Sequence, residues 1–401
     1  VSDGTVAFYG YSIANNSNTE RAMWVFQDLR RAWEYIHNIT NIDPGSITAR
    51  WEKGENSLSW CDGSCCCPPD FAPCNKIDGI FIADKDIVSE DIVIHETGHQ
   101  YMDNVMGFWY GPPNTWDDFY QCVILGHGFF DEKTKLCAWS EGWATFLALA
   151  VNGDPFYTFA SGGSVDLELP TWPVPPDQTI GDTVEGRVIG ALYDLFDNSN
   201  DGFDQVTFGF TPIWDIVSSS PDESSFSGFW DSWKAKGHNK HLAVQAIYQN
   251  TIDYNTSPRI NLPSRTLLEN FTYDNAINLW EYSEDDESYD WELDWQIIYV
   301  GNWHCDVSID AQDFVDIIPY PDWLGTCDVI IRVSDGIKTT DDTFTIRVVP
   351  VAAQVYLPLV MRNHSETRTT QNPGDGHLIS PLPTPALLHE PTPLDSPLPT
   401  P

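Results

Sequence analysis

Residues 95–99 read His-Glu-Thr-Gly-His. Two histidines four residues apart share one face of a helix, so His95 and His99 can turn two imidazoles toward one metal ion. Glu96 lies between them and can face a water on that ion. A catalytic zinc takes three protein ligands and keeps a fourth position open, so a third ligand is needed. Residues 138–145 read Ala-Trp-Ser-Glu-Gly-Trp-Ala-Thr. Glu141 stands there among tryptophans and small residues, on a helix patterned for the core. An isolated carboxylate in such a place is costly unless it is paired or metal-bound. With this composition a His-Glu-x-x-His pattern arises by chance in roughly one such chain in a hundred. The two segments together therefore carry more weight than either alone.

The pair of segments resembles the gluzincin metallopeptidases, whose third zinc ligand is a Glu on a second helix. In the aminopeptidase branch that Glu sits in a Trp-x-x-Glu-Gly-Phe-Ala type motif. Position by position, the resemblance implies that His95, His99 and Glu141 bind zinc and that Glu96 is the catalytic base. The implied chemistry is metal-assisted hydrolysis. Zinc lowers the pKa of its water, Glu96 takes the proton, hydroxide attacks the peptide carbonyl, and Glu96 passes the proton to the leaving amine. Two departures stand out. Trp143 replaces the usual Phe, and 41 residues separate His99 from Glu141, about twice the spacing of the best-known gluzincins. The insertion holds Cys122 and Cys137, which could close it as a disulfide-bound loop. The Gly-x-Met-Glu-Asn type motif that anchors a substrate amino terminus in the aminopeptidase branch is not visible before His95, which favours an endopeptidase.

A second donor for the reaction's oxyanion is expected. His127, Tyr193 and Arg187 are candidates, and each also reads as a structural residue. Asp103, one turn past His99, is a candidate to orient a ligand histidine or else a solvated helix residue. From Asp197 to Asp204 the chain reads DNSNDGFD, which resembles the start of a calcium loop of the Asp-x-Ser-x-Asp-Gly type. The closing Glu is replaced by Phe208, so a plain Asn/Asp/Gly turn is the competing reading.

Several elements must position these groups. Apolar residues at helical spacing predict a helix over 19–39, and further helices from about 86 and over 140–150, 184–196, 225–236 and 241–249. Strands are predicted over 46–53 and 77–83. Cys61, Cys65, Cys66, Cys67 and Cys74 lie in a loop whose crowded spacing favours disulfides over a metal knuckle. Residues 1–258 therefore read as an α+β, zincin-like metallopeptidase domain. Residues 266–350 change character: period-2 stretches at 290–300, 327–333 and 343–349 separated by turn signals predict an all-β sandwich. This stretch resembles bacterial cadherin-like and Ig-like modules, and Cys305 with Cys327 could staple it. Its acidic run at 284–287 reads as a solvated loop. Residues 351–401 read as a short strand followed by a disordered Pro/Thr-rich tail.

Composition sets the outer limits. Lys plus Arg number 20 against 59 Asp plus Glu, a net charge of −39, which excludes nucleic acid as a partner. With 42% hydrophobic residues and 17 Trp, the chain is too apolar for wholesale disorder. No apolar run reaches membrane-spanning length. Nine cysteines without paired CxxC motifs point to an oxidising, extracellular setting, secreted or at the cell surface. The chain opens at Val1, so a leader is expected upstream. The expectation is a secreted zinc peptidase acting on peptide or protein substrates, with the β-sandwich available for surface docking. The competing expectations are a surface adhesion protein with a structural peptidase-like domain and a zinc hydrolase of non-peptide substrates.

Overall fold

The computed structural model describes residues 17–58, 61–67, 79–106, 122, 126–168, 180–219 and 224–351. Within them the chain is mixed, with seven α-helices and several small β-sheets. Val1–Val351 form one compact unit; the second, Ala352–Pro401, which holds the expected tail, lies outside the described residues.

Helix α1 (Asn18–Thr40) opens at Ser17, whose Oγ accepts from the Glu20 N–H, and closes at Asn41 in the left-handed region. Strand β1 (Ala49–Trp51) runs parallel to β5 (Gly79–Ile82), and β4 (Cys65–Cys67) flanks β5 on its other side. All four residues of the central β5 are buried. Two further short strands, β2 (Ser57–Leu58) and β3 (Cys61–Asp62), pair between β1 and β4 in the chain. Cys65 is disulfide-bonded; Cys74 lies outside the described residues.

The helix expected from residue 86 begins at Glu90, as α2 (Glu90–Met106). Asp86 is committed elsewhere: its Oδ2 accepts from the Ser64 N–H and hydroxyl, both at 2.9 Å. Ser89 starts the helix instead, its Oγ accepting from the Ile92 N–H at 3.2 Å. Helix α3 (Lys135–Asn152) is capped by Thr134 and ends at Gly153, whose φ of 76° suits glycine. Residues 136–150 are all buried, so α3 is the axis of the helical part. It packs between α2 and α4 (Glu185–Phe196). Both contacts depend on glycine. A Cβ on Gly98 of α2 would lie 2.8 Å from the Ala144 Cα, and one on Gly142 of α3 would lie 2.9 Å from Val188 Cγ1 of α4.

Around α3 lie α5 (Phe210–Ser219), α6 (Phe226–Ala235) and α7 (His241–Gln249). Trp139, Trp143, Phe146, Trp214, Phe229 and Trp233 build a largely aromatic core between them. Two elements here go beyond the sequence expectation. Helix α5 carries Pro212 in its first turn, where a missing N–H costs nothing. The hairpin β6 (Phe156–Thr158) and β7 (Ser164–Asp166) consists of strands too short to show a period.

The C-terminal part is a pair of facing sheets with its own core. One holds β10 (Tyr273–Asn278), β14 (Phe314–Pro319) and β13 (Cys305–Ile309), in that order. The other runs β12 (Asp294–Val300), β15 (Gly325–Ser334), β16 (Thr339–Val349) and β9 (Arg265–Leu268). Its pairs are antiparallel except β16 with β9. A small ladder of β8 (Arg259–Ile260) with β11 (Ser283–Glu284) lies at the entrance. Cys305 and Cys327 are buried free thiols, in contact but not the expected disulfide.

Within the acidic run at 284–287, Glu284 and Asp286 are exposed as composition predicts, but Glu287 is not. Glu287 is 3% exposed, and its Oε2 accepts from the Thr256 N–H and hydroxyl at 3.0 and 2.7 Å. Ser288 meets His241 of α7 at 2.8 Å, and Lys338 donates to Asp253 and to the Asn255 carbonyl. Hydrogen bonds here and the packing of Ile337 against the helical core together join the sandwich to the helices.

Candidate metal centre

His95 and His99 lie one turn apart on α2, their rings edge to face at 4.7 Å. Because Gly98 lets α3 approach, Glu141 reaches across to both. The Nε2 atoms of His95 and His99 are 3.1 Å apart, and Glu141 Oε2 lies 3.2 Å from the first and 3.1 Å from the second. All three residues are buried, and they form the one such cluster of potential metal ligands among the described residues. The donor set fits zinc. A triangle of that size has its corners about 1.8 Å from its centre, so an ion about 1 Å off its plane would sit about 2.1 Å from all three atoms.

Glu96 is 6% exposed beside this triangle. Burial pushes its carboxyl up to about 8, and the Glu141 charge adds to that against the pull of His95. Burial works against the charge on Glu141, yet His127 and His99 outweigh it and hold the carboxyl well below its ordinary range. His99 is lowered by burial, whereas in His95 the bond to Glu141 overcomes burial and raises it.

Two residues that orient the site were not picked out from sequence. Thr145, one turn beyond Glu141 on α3, places Oγ1 2.9 Å from His95 Nδ1. One face of α3 thus supplies both a candidate ligand and the partner that turns His95 toward it. A threonine-to-histidine contact of this kind leaves no mark in sequence, because it depends on which helices meet. Tyr157 of β6 is 6% exposed and sets its ring edge against His95 at 6.4 Å. Phe129 and Phe159 pack on Tyr157 and continue this wall outward.

Of the three oxyanion candidates, the fold brings His127 to the centre. Its Nε2 is 3.3 Å from Glu141 Oε2, and its Nδ1 is 2.8 Å from Glu185 Oε2 at the start of α4. Burial lowers the His127 pKa, but Glu141 and Glu185 outweigh it and raise it to about 10. Tyr193 lies eight residues along α4 from Glu185, about 12 Å away. It lines a separate cavity of about 460 Å³ with Glu168, Phe196 and Asp197. Arg187 is buried in α4 at 1% exposure. Asp103 is half-buried on α2, and it is Thr145 that His95 contacts.

The expected disulfide in the insertion is present, joining Cys122 to Cys137. Cys137 stands one turn before Glu141 on α3, and Cys122 Sγ packs 3.8 Å from Glu141 Oε1. Residues 197–204 form a turn after α4. Asp197 Oδ2 accepts from the Ser199 N–H, Asp201 Oδ1 from the Gln249 amide, and Asp204 Oδ1 from the Val206 N–H.

The family model described as the Mycolysin C-terminal domain matches residues 31–251, more than half of the chain. The matched span takes in every residue of the centre. No curated protein matches. Among solved structures, MfFcnA4, an endo-fucoidan hydrolase from glycoside hydrolase family 107, aligns over 26% of this chain at 18% identity with a TM-score of 0.19. MfFcnA9 of the same description aligns over 23% at 19% identity with a TM-score of 0.18. This chain spans 15% and 16% of those two chains, and overlaps so small carry no argument.

Proposed function

We propose that this chain, which belongs to the Mycolysin C-terminal domain family, is a secreted zinc-dependent peptidase that hydrolyses internal peptide bonds. The observation that carries this reading is the convergence of His95, His99 and Glu141 on one point with a buried carboxylate, Glu96, beside it. A structural zinc site has no need of a base. Zinc, when bound, supplies the positive charge that acidifies water and polarises a carbonyl. Glu96 takes the proton of the attacking water and delivers it to the leaving amine. Thr145 fixes the His95 ring, and Glu141 draws charge balance from His127 as well as from the ligand histidines. His127, held by Glu185, directs Nε2 toward the edge of the centre, where it can donate to an oxygen that gains charge.

Secretion is supported by the family and by the Cys122–Cys137 disulfide, which persists in oxidising surroundings. No helix among the described residues is long and apolar enough to cross a membrane. The reading is tested by reconstituting chelator-stripped protein with zinc and profiling peptide cleavage. One zinc per chain, lost in His99→Ala together with cleavage, is the expected result. Unchanged zinc content in His99→Ala refutes it.

A further inference from the structure

The outward face of the sheet formed by β10, β14 and β13 carries more than solvated polar groups. Side chains alternate along its strands: Cys305, Val315 and Ile317 enter the core, whereas Asp306, Ser308, Asp316 and Ile318 turn outward. Asp306 lies opposite Ile318, and Ser308 opposite Asp316. The Tyr320 N–H donates to the His304 carbonyl at 2.7 Å, so the ladder runs one step further and ends in aromatic rings. The His304 ring stacks on Trp303 at 3.6 Å and on Trp323 at 5.5 Å, and Trp303 meets Tyr320 edge to face at 5.5 Å. Trp323 packs on the sandwich core, and Asn302 Oδ1 holds the His304 ring at 2.8 Å, so the array is ordered before any partner arrives. Trp303 is nevertheless 75% exposed, the most exposed large apolar side chain among the described residues, with Tyr320 at 53% and Ile318 at 45%.

Charge selects the partner. Residues 266–331 hold sixteen Asp and Glu and no Lys or Arg. The face therefore offers carboxylates and the negative faces of aromatic rings but few donors, and a partner rich in N–H groups and positive charge complements it. We propose that this face is a docking site for a lysine- or arginine-rich polypeptide segment, with one cation over Trp303 and Tyr320 and the next at Asp306. In an extended segment alternate side chains point the same way and stand about 7 Å apart. Tyr320 and Ile318, successive outward positions of β14, repeat at that spacing, and Asp306 flanks the second of them. None of these residues belongs to the metal centre, so the proposal does not depend on the peptidase reading.

The probe is a fluorescein-labelled peptide of alternating lysine and threonine. Its anisotropy is followed with the full chain carrying Glu96→Gln, so that cleavage cannot consume it. Saturable binding is expected, about tenfold or more tighter than for a peptide with glutamine in place of lysine. Trp303→Ala should weaken it by about two- to fivefold, while Trp291→Ala, which removes another exposed ring of the same sandwich, should leave it unchanged. Asp306→Lys should weaken it by more than about tenfold. Asp294→Lys makes the same charge change on the outward face of the other sheet, where Asp294 is exposed beside the buried Trp295. Facing sheets lie about 10 Å apart, a Debye length at 0.1 M salt, so its cost should stay below about twofold. Equal losses in Asp306→Lys and Asp294→Lys, undiminished binding by Trp303→Ala, or equally tight binding of the glutamine peptide overturns the proposal. Displacement of the peptide by a neutral oligosaccharide, maltohexaose, would also overturn it, in favour of a glycan.

Discussion

Gly98→Ala is a one-carbon perturbation that tests how the metal triangle is built. The new Cβ would stand 2.8 Å from the Ala144 Cα, 3.1 Å from its Cβ and 3.2 Å from its carbonyl oxygen. Carbon atoms in ordinary contact stay about 3.5–4.0 Å apart, so α2 and α3 must part by roughly 1 Å. Backbone atoms of a buried helix cannot turn aside as a side-chain end could. Two consequences follow, with different sizes. Overpacking costs about 1–3 kcal/mol, and replacing a helical glycine by alanine returns about 1 kcal/mol, so the net loss of stability is about 0–2 kcal/mol. The metal site suffers more. His95 and His99 are on α2 and Glu141 is on α3, so the 3.1 and 3.2 Å separations open by most of that 1 Å. An ion then keeps two ligands and loses the third, and zinc affinity should fall by about 100-fold or more, beyond the range for losing a supporting partner. Thermal unfolding reads the first quantity and competition against a chromogenic zinc chelator reads the second. Near-native zinc affinity in Gly98→Ala would refute the idea that close α2–α3 packing sets the triangle.

Three other outcomes are expected. Thr145→Val removes the acceptor on His95 and should weaken zinc binding by about 10–100-fold, while Thr145→Ser stays close to wild type; equal losses in both would point to packing instead. Trp143→Ala empties a fully buried position in the aromatic core and should cost about 3–5 kcal/mol in denaturant unfolding; a loss below about 1 kcal/mol would mean that the core collapses around the gap. Asp204 is pushed up to about 7 by burial and then by Asp197 and Asp201. Because its folded pKa lies above the unfolded one, the folded chain holds the extra proton between about pH 4 and 7, so stability is greatest at the acid end and falls as pH rises through that window. Asp204→Asn should therefore raise the melting temperature near pH 7.5 and leave it unchanged near pH 4, and a difference independent of pH would contradict this.

How far the sequence alone reaches depends on whether a feature is local. His95, Glu96 and His99 are legible because their relation is one helical turn, and Glu141 because a carboxylate among tryptophans is anomalous anywhere but at a partner. Thr145 is invisible: threonine in a helix is ordinary, and only the meeting of α2 and α3 places it on His95. His127 stood level with Tyr193 and Arg187 in sequence, and the fold separates them, since Glu185 meets His127 whereas Tyr193, two turns further along the same helix, lines a separate cavity. The strands β12, β15 and β16 announced themselves through alternation. Strand β13, Cys305 to Ile309, alternates as well but over only five residues, and it was missed. Composition read the exposed Glu284 and Asp286 of the acidic run correctly but not Glu287, which is buried against Thr256 inside a junction.

The most direct test compares peptide hydrolysis by zinc-loaded wild type and Glu96→Gln at equal zinc content. Glutamine keeps the size of Glu96 and removes its ability to accept a proton. The account predicts one zinc per chain in both proteins and a fall in kcat of about 10³ or more in the variant. Undiminished cleavage by zinc-loaded Glu96→Gln would contradict it.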